Sequence, residues 1–181
     1  MFHLRTPISR RKTRLGIFGG QKVESKALPV LSIPDWLLIW LALDGSRAIK
    51  GKTVFVKQMF IVAKEVVPQI FPMFRFYGHR FGPYSKEFEA ALQGLIEKGL
   101  VSEKVIEELE GFSSDRKRYD YSISQVGEKV AVGLMAKFPP ETIQSLLGYK
   151  RVLSQMGYIG LLSYVYNTYP NFAEKSEFRI A

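Results

Sequence analysis

The residues of this chain whose types and spacing suit chemistry are cations. Arg116, Lys117 and Arg118 stand together at the end of a polar stretch, with alternating segments on either side of it. Arg80 and Lys86 flank Ser85, a residue suited to capping a helix. Arg10, Arg11, Lys12 and Arg14 crowd the N-terminal stretch. Guanidinium and ammonium groups bind phosphate oxygens, and a helix N-terminus adds backbone N–H donors to the same task. Double-stranded DNA is the expected ligand, held by the triplet, by the Arg80–Ser85–Lys86 corner and by the N-terminal cations.

Other chemistries lack their residues. The chain has no Cys, which removes thiolate nucleophiles, thiolate zinc sites and iron–sulfur clusters and points to a reducing compartment. Its two histidines, His3 and His79, cannot build a multi-histidine metal site. His79 has Arg80 beside it but no acid–base partner nearby, and reads as a turn residue. Glu107, Glu108 and Glu110 read as a solvated edge. There is no glycine-rich phosphate loop with a lysine, no nucleophile elbow and no His-Glu-x-x-His. A non-enzymatic protein without cofactor or metal is expected.

Length and charge say where such groups can be placed. The 181 residues, 46% of them apolar, suffice for one domain with an ordinary core. The net charge is +9, but residues 1–27 hold seven cations against Glu24 and supply +6 of it. The other 154 residues are only mildly basic, at +3. Residues 1–28 are therefore set apart as a basic flexible arm, with three open readings: a polyanion-binding extension, a solubilising tail, or an over-extended translation start. Arg10-Arg11 looks like the start of a twin-arginine signal, yet Gly19, Gly20 and Lys22 interrupt the apolar run that should follow. The long charge-free window from Val152 is broken by Ser154, Gln155, Ser163, Asn167 and Pro170, which suits a buried helix better than a membrane span. A soluble, cytoplasmic protein is expected.

The elements follow from pattern and punctuation. Ser32-Ile33-Pro34-Asp35 begins a helix that runs, apolar on every side, to Asp44-Gly45. A second helix covers Lys52 to Val67 and stops before Pro68. Phe74–Tyr77 alternates like a short strand, and Gly82-Pro83-Tyr84 turns into a third helix capped by Ser85, with Phe88, Leu92, Leu95 and Ile96 as its buried stripe and Gly99 at its end. Extended segments near Leu100-Val101 and Val105–Leu109, then Tyr119–Ile123, form a hairpin whose tip is the basic loop Gly111–Arg118. Ser124 caps a helix to about Lys137, and a tyrosine-rich helical stretch from about Glu141 to Tyr169 follows Pro139-Pro140.

This order is that of a winged helix-turn-helix, an α+β and mainly helical fold, over residues 29–138, with a C-terminal helical extension over 139–181. Leu92-Gln93-Gly94-Leu95 to Gly99-Leu100-Val101, followed by Arg118-Tyr119-Asp120-Tyr121-Ser122-Ile123-Ser124-Gln125-Val126-Gly127, resembles the wing pattern of bacterial and archaeal winged-helix regulators. Lys57-Gln58-Met59-Phe60, Tyr77-Gly78-His79-Arg80-Phe81-Gly82-Pro83-Tyr84-Ser85 and the tail Leu161–Pro170 look like the YwgA-like group, related in style to the Panacea domain of SocA-like antitoxins. Where that group has Leu-Gln-Lys-Leu, this chain has Val56-Lys57-Gln58-Met59.

Two functions compete. As a transcription regulator, the protein would contact duplex through the wing and arm, and the deciding question is whether Arg80, Lys86 and the wing make one continuous basic face with Lys57 or Lys64. Its recognition helix, Tyr84–Lys98, exposes Lys86, Glu87, Glu89, Gln93, Glu97 and Lys98, and that acidic balance opposes groove binding. The resemblance to antitoxin-type domains implies the rival: a protein-interaction module, antitoxin- or adaptor-like, on the same scaffold. In either case a homodimer is expected, with the apolar first helix and Tyr149, Tyr158, Tyr164, Tyr166 and Tyr169 either at the interface or in the core.

Overall fold

The computed structural model describes residues 28–45, 47–107 and 117–177. Arg10, Arg11, Lys12, Arg14 and Arg116 lie outside the described residues. The first helix, α1 (Ile33–Ala42), opens with a capping box: the Asp35 N–H bonds the Ser32 side chain, and the Asp35 carboxylate accepts from the Ser32 N–H at 2.9 Å. Trp36 through Leu41 are all buried, so the helix that is apolar on every side forms the centre of the core. Trp40 is 2% exposed and its indole N–H donates to Gln58 at 2.9 Å, which satisfies two buried polar groups at once.

After α1 a two-residue strand, β1 (Ile49–Lys50), leads into α2 (Lys52–Ile61), which buries every residue from Phe55 to Ile61. The helix continues as a π-helical turn, Val62–Val66, and ends at Val67 before Pro68. A 3-10 turn and the short helix α3 (Phe71–Phe74) follow. Next comes a hairpin of β2 (Tyr77–His79) and β3 (Gly82–Tyr84). The strand expected at Phe74–Tyr77 is therefore displaced. Phe74 closes a helical turn, Arg75 takes a left-handed φ of 46°, and the Phe74 and Phe76 rings stack in the core at 5.2 Å. Their alternation records aromatic packing, with no ladder partner.

Ser85 caps α4 (Lys86–Glu97), which buries Phe88, Leu92 and Leu95 and leaves Ile96 half-buried. Strands β4 (Val101–Glu107) and β5 (Lys117–Ile123) pair from Val101 with Ile123 to Glu107 with Lys117. Lys117 and Arg118 thus sit in the ladder rather than in a loop. β1 pairs with β5, giving a three-stranded antiparallel sheet in the order β1-β5-β4. Ser124 caps α5 (Gln125–Met135), and α6 (Pro140–Thr168) bends where Gly157 leaves helical geometry at φ 64°.

The fold is α+β and mainly helical, with two small antiparallel sheets. Leu146, Leu153, Leu161 and Val165 of α6 share one core cluster with α1 and α2. Each such fully buried side chain contributes about 1.5–3 kcal/mol relative to exposure. Among the described residues no helix is long and apolar enough to cross a membrane.

Candidate functional site

The β2–β3 hairpin stands beside the first turns of α2 and α4, and a cleft of about 740 Å³ opens between them and the sheet. Strand period places Tyr77 and His79 on one face of β2, and the register sets Tyr84 opposite Tyr77. The result is a trio of rings with centroids 5.1–6.1 Å apart. Glu89, one turn into α4, is held from two directions. Lys52 Nζ lies 3.0 Å from its Oε1, and the Tyr84 hydroxyl donates to its Oε2. Tyr121 of β5 closes the floor. It is 0% exposed and its hydroxyl makes no hydrogen bond among the described residues. Burial, and then the Glu103 carboxylate alongside but short of hydrogen-bond geometry, push the Tyr121 phenol well above its ordinary pKa.

A second cavity, of about 190 Å³, shares Lys52, His79 and Tyr84 with the cleft and reaches Lys57, Thr53 and Phe81. Lys57 is 3% exposed, and its Nζ donates to the Pro83 carbonyl at 2.9 Å. No carboxylate pairs with it among the described residues. Burial lowers its pKa to about 7. Gly82 is required beside it, because its φ is +83° and a Cβ there would stand 2.7 Å from the Tyr166 ring and 3.5 Å from Lys57 Cε.

The residues expected to hold DNA are dispersed or already engaged. Arg80, in the β2–β3 turn, pairs with Glu177 at 2.8 Å. Ser85 is fully buried; its hydroxyl donates to the Phe74 carbonyl and accepts from the Phe88 N–H, leaving nothing for a phosphate. Arg118 pairs with Asp120 at 2.8 Å. Lys117 is exposed at the start of β5, and Lys86 is exposed at the rim of the cleft. Lys57 is interior and Lys64 lies 3.8 Å over the Phe71 ring, so neither extends a basic face from Arg80 and Lys86. Residues 101–123 carry six acids, Glu103, Glu107, Glu108, Glu110, Asp115 and Asp120, against four bases. The hairpin is thus net acidic, as is the exposed face of α4.

The tyrosines weighed for a dimer interface mostly turn inward. Tyr149 and Tyr164 are buried, and the Tyr164 and Tyr169 hydroxyls both donate to Glu65, at 2.7 and 2.6 Å. Tyr158 alone of the five is exposed. The π-helical turn carries Glu65 to this meeting point, where α6 is fastened to α2.

The sequence gives no sign of Lys52, Glu89 and Tyr121 as site residues, and it offers Lys57 for an exposed basic face although Lys57 is buried. One signal was present: Lys57-Gln58 sits inside an otherwise apolar run, Val54 to Val62, and polar residues on such a helix must find interior partners. Comparison with protein-family models, with curated proteins and with solved structures finds no match to this chain.

Proposed function

We propose that this chain is a non-enzymatic protein-interaction module on a winged-helix scaffold, and that the cleft between the β2–β3 hairpin and α4 receives its partner. The scaffold reading is supported by the order α1, β1, α2, α4, β4, β5 and by the strand order β1-β5-β4. The observation that carries the functional reading is the cleft itself. It is walled by Tyr77, His79 and Tyr84 and lies where a groove-reading winged helix would need unpaired cations. Tyrosine walls offer rigid contact area with polar tips, which suits protein partners. This is also the reading implied by the resemblance to antitoxin-type domains.

The test compares two substitutions in one capture assay on the full chain. Tyr77→Asp, which places a charge on the ring wall, abolishes partner capture, and Lys117→Ala leaves it intact. The reverse pattern overturns the reading.

A second reading, double-stranded DNA contact, is favoured by one observation: the +6 charge of residues 1–27. Arg10, Arg11, Lys12 and Arg14 would supply it, with Lys86, Arg116 and Lys117 as auxiliaries. In that case duplex affinity falls steeply with salt, and deleting residues 1–27 flattens the slope by several phosphate equivalents. A slope unchanged by the deletion excludes the arm.

A further inference from the structure

We propose that Lys57 is a covalent docking point for a small aldehyde, which enters the cavity between the β2–β3 hairpin and the start of α2 and forms an imine with the lysine amine. The amine is interior, has a single acceptor in the Pro83 carbonyl, and has no carboxylate partner among the described residues. An ammonium in that setting is poorly compensated, whereas a neutral amine keeps the Pro83 hydrogen bond and frees a lone pair. The wall it occupies faces about 190 Å³ of space, enough for a small molecule and too little for a peptide. Charged and titratable groups around it are Lys52 on the same helix, His79 and Tyr84 on the hairpin, and Tyr166 of α6 beside Gly82. Lys52 is itself paired with Glu89 at 3.0 Å, so it is burial that favours the neutral form of Lys57.

The reaction balances without a further reagent. The Nζ lone pair attacks the carbonyl carbon, a C–N bond forms, and the C=O π pair moves to oxygen, which is protonated. Loss of that oxygen as water and of the second amine proton leaves C=N, so amine plus aldehyde gives imine plus water. His79 and Tyr84 line the same cavity and carry groups able to pass the protons.

Lys150 provides the internal control. It is 2% exposed and its pKa is likewise lowered to about 7, yet it lines neither cavity. The folded full chain is treated near neutral pH with propionaldehyde and cyanoborohydride, which reduces any imine to a stable secondary amine. Modified lysines are then located by peptide mass spectrometry. Lys57 is alkylated first, roughly a hundredfold ahead of exposed Lys86 and Lys117, because burial lowers its pKa to about 7 and leaves far more of it as the free amine. It is also well ahead of Lys150. With a bulky aromatic aldehyde the preference for Lys57 disappears, since the cavity excludes it. Alkylation of Lys57 no faster than of Lys150, or an unchanged preference with the bulky aldehyde, overturns the proposal. Lys57→Met, checked by circular dichroism for a native spectrum, loses the early adduct. Its persistence would likewise count against the assignment.

Discussion

Among the described residues two lysines are buried, Lys57 and Lys150, and their surroundings differ in the way that matters. Lys57 on α2 has one hydrogen-bond acceptor and a cavity beside it. Lys150 on α6 has its Nζ 5.0 Å over the Trp40 ring and no hydrogen-bond partner among the described residues. Burial lowers both pKa values to about 7; for Lys150, Asp44 opposes the shift in part. Similar desolvation thus produces a reactive amine at a cavity wall in one place and a packed, costly amine in the other. A perturbed group becomes a candidate site only when geometry admits a ligand.

The largest expected effect tests this contrast through pH. Above about pH 7 both amines are neutral in the fold but stay charged in the unfolded chain up to about pH 10, so the unfolded state holds more protons. Stability therefore rises with pH across that window, by roughly 1.4 kcal/mol per pH unit for each lysine, and urea midpoints near neutrality and near pH 9 will show it. Below the window both states are protonated and the slope from these groups vanishes. Above about pH 10 the gain ends because the unfolded-state lysines lose their protons too, and stability then falls as unfolded tyrosines ionise while Tyr121, Tyr149 and Tyr166, with pKa values raised in the fold, stay protonated. Lys150→Met should halve the slope and raise stability near neutral pH by about 1–3 kcal/mol, since it removes a buried polar group that makes no hydrogen bond among the described residues. Lys57→Met also halves the slope, but it strands the Pro83 carbonyl, so its gain near neutrality is smaller. Equal gains from the two variants would break the comparison.

Next in size is Gly82→Ala. A methyl group at φ +83° pressed on Tyr166 costs about 2 kcal/mol or more, read as a lower urea midpoint, and it slows alkylation at Lys57 by narrowing the cavity. On the Lys150 side the sign reverses. Gly148 lies on the exposed face of α6 with open space around the missing Cβ, and Gly148→Ala should raise stability by about 0.5–1 kcal/mol.

Local signals were the legible part of the fold. Ser32, Ser85 and Ser124 each cap the helix that their neighbours imply, because a cap needs only a side-chain oxygen and the next few backbone N–H groups. Ile49–Lys50 escaped notice because two residues have no period, and the strand exists only through its pairing with Tyr121 and Asp120. The β2–β3 hairpin was hidden for a related reason. Phe74 and Phe76 mimic strand alternation while the ladder begins one residue later.

The candidate site was less legible, and the reason is distance along the chain. Arg80 and Glu177 are 97 positions apart, and their ion pair removes a cation that composition had offered to DNA. Lys52 and Glu89 are 37 apart, and their pairing builds a wall of the cleft. By itself the sequence determined the caps of α1, α4 and α5, the Phe88, Leu92 and Leu95 stripe of α4, the absence of cysteine chemistry and the concentration of charge in residues 1–27. Those properties depend on a residue and its near neighbours. Only the tertiary structure decided which cations stay free, which tyrosines turn to Glu65 and which lysine faces a cavity. Desolvation and pairing depend on what the rest of the chain brings into contact, and no local pattern encodes that.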